Sequence, residues 1–340
     1  MVIFKPGDIV ERSYPMVHTL SVEHRGKRCD QCFQKWYLSF LSSSLNLIYF
    51  LKSFSNTLKR CAQCGHMYYC SKQCQIGDWK NVHRHECQLF KSNGRLESDI
   101  PSILLRSYIA AKYHKNAQFR KYRTWTGRDR CLDDLMDHAE EIAKDETRKP
   151  DFDIIADTFI QAKVLDVEDR DLLFSLYGKL LTNAFGIADL SDGLECVELG
   201  TGFYIETSAF DHSCEPNAVW QFDGIEMQIV CIREIDTEKD AIFIHYIQLE
   251  LPRKVRQTKL REQYNFDCEC TRCVREKTSA EDDIDYERLA ELKKKLNNTY
   301  NAFEEIQLRM EMLPMYEKVY GCNHPNIELL KNKINMLKSF

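Results

Sequence analysis

The chain has 340 residues, 44% of them hydrophobic and 29% charged, with a formal net charge of -5. That is an ordinary globular mixture with length for one to three domains, and its mild acidity excludes nucleic-acid binding driven by net charge. Fifteen cysteines are many, yet the opening MVIFKPGDIVER lacks the long apolar region of a signal peptide; metal ligands in a reducing compartment, nucleus or cytoplasm, are therefore expected rather than disulfides.

In chain order, Pro6-Gly7-Asp8 predicts a turn leading into a short strand at Ile9 to Arg12. Four pairs of soft ligands follow: Cys29-x2-Cys32, Cys61-x2-Cys64, Cys70-x3-Cys74 and His83-x3-Cys87. Eight ligands fill two tetrahedral zinc sites, and spacing alone leaves open whether these are sequential or interleaved. Between Cys32 and Cys61 runs Trp36 to Leu51, an uncharged stretch of 16 residues with four serines and an asparagine. A spanning helix needs about 20 mostly apolar residues, so this is read as an inserted loop or hairpin, with translated intron sequence as the alternative. Residues 101–182 carry apolar positions at three- and four-residue intervals in ILLRSYIAAKYH, CLDDLMDHAEEIAKDE and DLLFSLYGKLLTNAF, and predict helices. From 196 to 247, GTGFYIE, NAVWQFDG, IEMQIVCIREI and AIFIHYI read as short strands with Gly and Asp turns. Residues 252–265 predict one helix, 281–312 a charged helical segment, and another helical run follows Pro325.

Four further thiols lie in the second half: Cys214, then Cys268-x-Cys270-x2-Cys273, enough for a third zinc. Of the rest, Cys131, Cys196, Cys231 and Cys322 have no metal-type spacing.

Tyr69-Cys70-Ser71-x2-Cys74, Asp78-Trp79 and His83-x3-Cys87 resemble the MYND finger. In that family the sites interleave, which assigns Cys29, Cys32, Cys70 and Cys74 to one ion and Cys61, Cys64, His83 and Cys87 to the other, with His85 the rival to His83. Gly200-x-Gly202 leading to Ser208-Ala-Phe-Asp211-His212-Ser-Cys214-Glu-Pro-Asn217 resembles the SET-domain signature Asn-His-Ser-Cys-x-Pro-Asn. Ile235 to Tyr246 is similar to that fold's final strand, and Leu260 to Cys273 to its post-SET motif. The combination resembles the SET- and MYND-domain family of protein-lysine methyltransferases over roughly residues 1–275.

That resemblance implies an α+β fold: a SET β fold with an inserted MYND finger, a helical insert, a post-SET zinc segment and a short C-terminal helical fragment. The implied divisions are 1–28 (truncated N-terminal part of SET), 29–87 (finger, with insert 36–58), 100–182 (helical insert), 183–250 (SET core), 251–275 (post-SET) and 281–340 (a TPR-like fragment). It implies S-adenosylmethionine and three zinc ions, two in the finger and one at Cys214, Cys268, Cys270 and Cys273. Tyr246 would be the catalytic residue. Asp211, His212, Phe266, His138 and Asn183 would join Tyr246 in binding the cofactor, and Phe185 would wall the substrate channel. Expected partners are a protein lysine, on a histone tail or elsewhere, and a proline-containing peptide at the finger; a monomer without membrane or direct nucleic-acid contact is expected.

Without the motifs, Tyr246 and Phe185 read as rim or core aromatics, His138 as a solvated or capped histidine on a helix, and Asn183 as a helix cap. Three departures from the family pattern favour an alternative, a weak or inactive zinc-braced adaptor. No Gly-x-Gly loop precedes Phe4-Lys-Pro-Gly-Asp. Asp211 replaces the motif's asparagine, and a carboxylate only accepts hydrogen bonds. Glu238-Lys239-Asp240 replaces Gly-Glu-Glu, which matters if that turn requires positive φ.

Overall fold

The computed structural model describes residues 2–34, 58–114, 120–189, 197–278 and 284–339. The stretch Trp36 to Leu51 and Cys196 lie outside the described residues.

Two antiparallel three-stranded sheets form the centre. In one, Glu226–Cys231 lies between Ala218–Asp223 and Ile9–Ser13. Its hairpin closes through Gly224-Ile225, with Gly224 at φ +60, as a two-residue turn opening on glycine requires. A Cβ there would also stand 2.5 Å from the Cys32 carbonyl, so the missing side chain lets the cysteine-rich module seat on the sheet. In the other sheet, Val197–Phe203 lies between Val17–Leu20 and Ala184–Asp189. Gly200 and Gly202 serve close packing: added Cβ atoms would lie 2.1 Å from the Thr19 carbonyl and 2.5 Å from the Tyr204 ring. The shared core comprises Leu20, Ile187, Leu199, Tyr204, Met227, Ile229 and Ile244, with Phe33 from the cysteine-rich module inserted among them.

A helical layer packs beside the sheets. Asp99–Tyr113, Arg148–Gln161 and Arg170–Asn183 bury Leu104, Tyr108, Phe152, Phe159, Leu176 and Leu180 against one another. The sequence reading named no helix at 148–161. It also took 131–146 as one helix, which the structure breaks. A 3-10 turn at Leu132–Asp134 is followed by extended backbone, His138 at φ 48, and only then the short helix Ala139–Ala143. The cause is tertiary: a Cβ on Gly178 would lie 1.8 Å from the Asp137 carbonyl, so the chain crosses the helix Arg170–Asn183 in direct backbone contact. Asp137 accepts from the Ala139 amide and the Ser175 hydroxyl, which fixes the crossing.

The expected strand at 235–246 is two short pieces, Ile235–Asp236 and Phe243–Ile244, and Tyr246 lies two residues beyond the second. The intervening turn needs no positive φ at 238–240; the Asp240 carboxylate accepts from the Asp236 amide, and that of Asp236 from the Glu238 amide. The helix Arg253–Tyr264 agrees with expectation to within a residue or two. The segment 281–312 instead contributes to two helices, Tyr286–Leu296 and Ala302–Tyr320, separated at Asn297 to Asn301, where Asn301 caps the second. With Pro325–Lys338 they enclose Leu289, Leu292, Met312, Tyr316, Ile327 and Leu330.

Candidate metal centres and ligand cavity

Three sets of four ligands converge: Cys29, Cys32, Cys70 and Cys74; Cys61, Cys64, His83 and Cys87; and Cys214, Cys268, Cys270 and Cys273. Within each set the ligand atoms lie within 4.8 Å of one another. Sulfur contacts of 3.4 Å (Cys70–Cys74), 3.6 Å (Cys32–Cys70, Cys214–Cys273) and 3.8 Å (Cys61–Cys87) are far too long for disulfides. They match the edge of about 3.8 Å that Zn–S bonds of about 2.3 Å give a tetrahedron. The donor sets therefore fit structural zinc, and the two in the finger interleave.

Local structure explains the convergence. The hairpin Lys59–Arg60 with Tyr68–Tyr69 brings Cys61 and Cys70 to its two ends. Ser71 caps the helix Lys72–Asp78 by accepting from the Cys74 amide at 3.1 Å, placing Cys74 one turn from Cys70. His83 enters the helix Arg84–Asn93, and Cys87 stands one turn on. His83 Nε2 lies 3.6 Å from Cys64 Sγ, whereas His85 points away and stacks on Tyr113 at 4.1 Å.

Behind His83 is a buried charge network. Glu86 faces His83 Nδ1 at 3.3 Å and pairs with Arg106, which also reaches Asp78 and donates to the His18 carbonyl at 2.8 Å. Burial alone would raise the Glu86 carboxyl, but the Arg106 charge and hydrogen bonds hold it near 2. Asp78, His83 and Glu86 also cluster as closely as a metal set. Arg106 already satisfies the carboxylates, and Tyr69 donates to Asp78 at 2.7 Å, so this is a strut between the finger and the helix Asp99–Tyr113.

The third set joins distant segments. The 208–217 segment pairs in parallel with the last strand, Asp211 opposite Phe243 and His212 opposite Ile244. Asn217 clamps it from both sides of its amide, donating to the Ala241 carbonyl and accepting from the Phe243 amide, each at 2.8 Å. The Tyr246 amide donates to His212 Nδ1 at 3.0 Å. His212 Nε2 therefore carries the proton and donates to Cys214 Sγ at 3.3 Å. One imidazole thus connects a ligand sulfur to the backbone of Tyr246. Burial, helped by His245, pushes His212 down to about 4 and keeps it neutral.

Above this junction opens a cavity of about 810 Å³. His138, Asn183, Phe185, Asp211, His212, Tyr246 and Phe266, all singled out from the sequence, line it together. The Tyr246 hydroxyl donates to the Phe210 carbonyl at 2.5 Å, and burial followed by the Asp211 charge keeps the phenol protonated above its ordinary range. Phe266 lies 6.0 Å from His212, and Phe185 meets Tyr204 edge-on at 6.1 Å. Asn183 donates to the Lys179 carbonyl at 2.9 Å, ending its helix and leaving its amide oxygen for the cavity.

The wall includes residues the sequence reading missed: Arg130, Trp220, His245 and Tyr264. Tyr264 stands 4.9 Å from Tyr246, and Trp220 donates to the His245 carbonyl at 3.2 Å. Tyr264 ends the helix beside the post-SET cysteines, a signal the sequence offered; Arg130, in a hairpin strand at Asp129–Arg130, left none. Arg130 Nε and His138 Nε2 are buried with no hydrogen-bond partner among the described residues. Both residues line the cavity, and each leaves a buried nitrogen without a partner, a costly arrangement in a folded chain.

A MYND-finger family profile matches residues 52–87. The N-lysine methyltransferase SMYD2-A of Danio rerio is 29% identical over 271 residues, 80% of this chain and 56% of that protein. The histone-lysine N-methyltransferase SMYD3 of Mus musculus is 28% identical over 276 residues, covering 79% and 56%. The N-lysine methyltransferase SMYD2 of Homo sapiens is 25% identical over 271 residues, with shares of 80% and 56%. The chain thus spans about half the length of the curated relatives it matches. No helix of the described residues is long and apolar enough to cross a membrane. Finger, relatives and mixed helix-and-sheet frame agree in supporting the SET- and MYND-domain family as the one this chain is similar to.

Proposed function

We propose that the cavity is the site of an S-adenosylmethionine-dependent protein-lysine N-methyltransferase, braced by three structural zinc ions. The observation that carries this reading is the meeting on one cavity of seven residues from five separate segments of the chain, His138, Asn183 with Phe185, Asp211 with His212, Tyr246 and Phe266. Its volume of about 810 Å³ lies within the ordinary range of small-ligand sites.

The cofactor would supply an electrophilic methyl group on a positive sulfur. His138, Asn183, Asp211, His212 and Phe266 would hold it, with Arg130 joining His138 at its carboxylate. Methyl transfer to an amine needs alignment and exclusion of water more than acid or base. Tyr246, pinned at its hydroxyl by Phe210 and at its amide by His212, is suited to aligning the amine nitrogen. The aromatic wall of Phe185, Trp220, Tyr246 and Tyr264 would exclude water and bound the approach of the lysine side chain.

In this reading residues 29–87 are the finger, 100–182 the helical insert, 183–250 the SET core, 251–275 the post-SET segment and 281–340 a helical fragment beside the cleft. The protein would act as a monomer in nucleus and cytoplasm on a histone or other protein lysine, with a proline-containing peptide at the finger. Asp211 favours a second reading, the weak or inactive adaptor: its exposed carboxylate at the cavity wall attracts the cofactor's ammonium but repels its carboxylate. Calorimetric titration with S-adenosylmethionine separates the two. Micromolar binding together with methyl transfer to a lysine peptide supports the enzyme; no heat at millimolar cofactor supports the adaptor.

A further inference from the structure

The two all-cysteine sets are shielded to different degrees. Cys214 Sγ accepts from His212 Nε2 and from Arg256 Nε, each at 3.3 Å. Arg256 is fully buried, reaches Cys273 Sγ at 3.9 Å, donates to the Leu251 carbonyl at 2.6 Å and pairs with Glu276. Three of the four cysteines in this set are buried. In the finger set the proportion is reversed: Cys29 is buried, while Cys32, Cys70 and Cys74 are half-exposed. Among the described residues no arginine or lysine donates to these sulfurs, whose contacts are with one another, 3.6 Å for Cys32 to Cys70 and 3.4 Å for Cys70 to Cys74.

A metal ion held by four thiolates keeps a net double negative charge, and thiolate character with exposure governs attack by oxidants and electrophiles. A buried guanidinium donating to sulfur withdraws that charge, whereas an uncapped, half-exposed sulfur keeps it. The other finger set, Cys61, Cys64, His83 and Cys87, contains a neutral ligand, His83, and so holds one negative charge fewer.

We propose that Cys29, Cys32, Cys70 and Cys74 form a peroxide-sensitive metal site, and that Arg256 keeps the Cys214 set inert. Two thiolates and hydrogen peroxide form one S–S bond as the O–O bond breaks. The sulfurs lose two electrons, the oxygens take up two protons from solvent and leave as two waters, and the ion is released. Cys70 is the common partner, with Cys32 at 3.6 Å and Cys74 at 3.4 Å.

The inference rests on the three-ion reading, and metal analysis of the purified chain separates the two failures: fewer than three zinc equivalents sinks that reading before any oxidant is added. The zinc-loaded full chain is then treated with limiting hydrogen peroxide, with zinc release followed by a chromogenic chelator and disulfides mapped by mass spectrometry. The first equivalent released is expected to accompany a disulfide containing Cys70, with Cys214, Cys268, Cys270 and Cys273 unmodified. Oxidation of the Cys214 set first, or of both sets at equal rates, overturns the proposal. Arg256→Met is expected to speed oxidation of the Cys214 set at least about tenfold, and an unchanged rate in a folded variant overturns the role given to Arg256. If that variant does not fold, the order of release in the unaltered chain still decides.

Discussion

The finger and the Cys214 centre use the same chemistry for different ends. In the finger all eight candidate ligands fall within residues 29–87, and metal ions there would stand in for a core that so short a segment cannot build. Its apolar interior is small, chiefly Met67, Tyr69 and Phe90 among the ligands. At the Cys214 centre one ligand comes from the turn after Phe210 and three from the segment beginning at Cys268, in a neighbourhood that already contains Ile247, Leu249 and Leu260. There a metal would add little core but would draw two walls of one cavity together. A local set makes a module; a long-range set makes a pocket.

Four experiments test this contrast, from the largest expected effect to the smallest. Cys268→Ser should remove one of the three ions, leave both finger ions bound, and weaken S-adenosylmethionine binding at least about a hundredfold by calorimetry, near 2.7 kcal/mol. Its total cost in stability should be larger, since apparent zinc-binding energies of structural sites are on the order of 10 kcal/mol. Loss of finger metal in that variant would break the contrast.

Arg106→Met should leave Glu86 and Asp78 buried without their cation and lower unfolding free energy in urea by about 3–5 kcal/mol. Its effect should fall on the finger, seen as faster zinc release from the site containing His83. Equal weakening of cofactor binding would show that the strut serves the pocket as well.

Glu11 sharpens the contrast on the sheet side, because it holds the hairpin behind Phe210. It accepts from the Trp125 amide at 2.6 Å, and Trp125 stacks on Phe210 at 6.0 Å. Burial raises its carboxyl to about 7; the Trp125 hydrogen bond opposes this and the nearby Glu206 charge adds to it. With the folded value above the unfolded one, the native state binds more protons between pH 4.5 and about 7. Stability should therefore fall as pH rises through that window, by up to about 3 kcal/mol. Glu11→Gln should flatten the decline in urea midpoints; an unchanged slope would assign it to other groups. Asp211→Asn is the smallest change and should tighten cofactor binding about tenfold, near 1.4 kcal/mol, by exchanging a repelling carboxylate for an amide that can donate.

What the sequence made legible follows the same division. Finger ligands are written as close pairs, but their interleaving required the family resemblance, because pair spacing carries no information on which hairpin end meets which helix. The preference for His83 over His85 rests on the family's spacing to Cys87 as well, and the structure places His83 at Cys64 and His85 on Tyr113. The strands at Ala218–Asp223 and Glu226–Cys231 were readable from alternation and a glycine turn. The break before His138 was hidden, since the apolar spacing of 131–146 is helical and a backbone crossing at Gly178 overrides it. Arg130 was hidden for a related reason: a basic residue in a short polar hairpin reads as solvated until the fold brings that hairpin to the cavity and buries its Nε.

The imidazole of residue 212, held between a ligand sulfur and the amide of residue 246, has a spectroscopic consequence. Loading the chain with cadmium-113 should couple that nucleus through the sulfur to the ring proton on Nε2. A change of ion radius should then shift the amide resonance of Tyr246, a reporter that hears the metal without touching it.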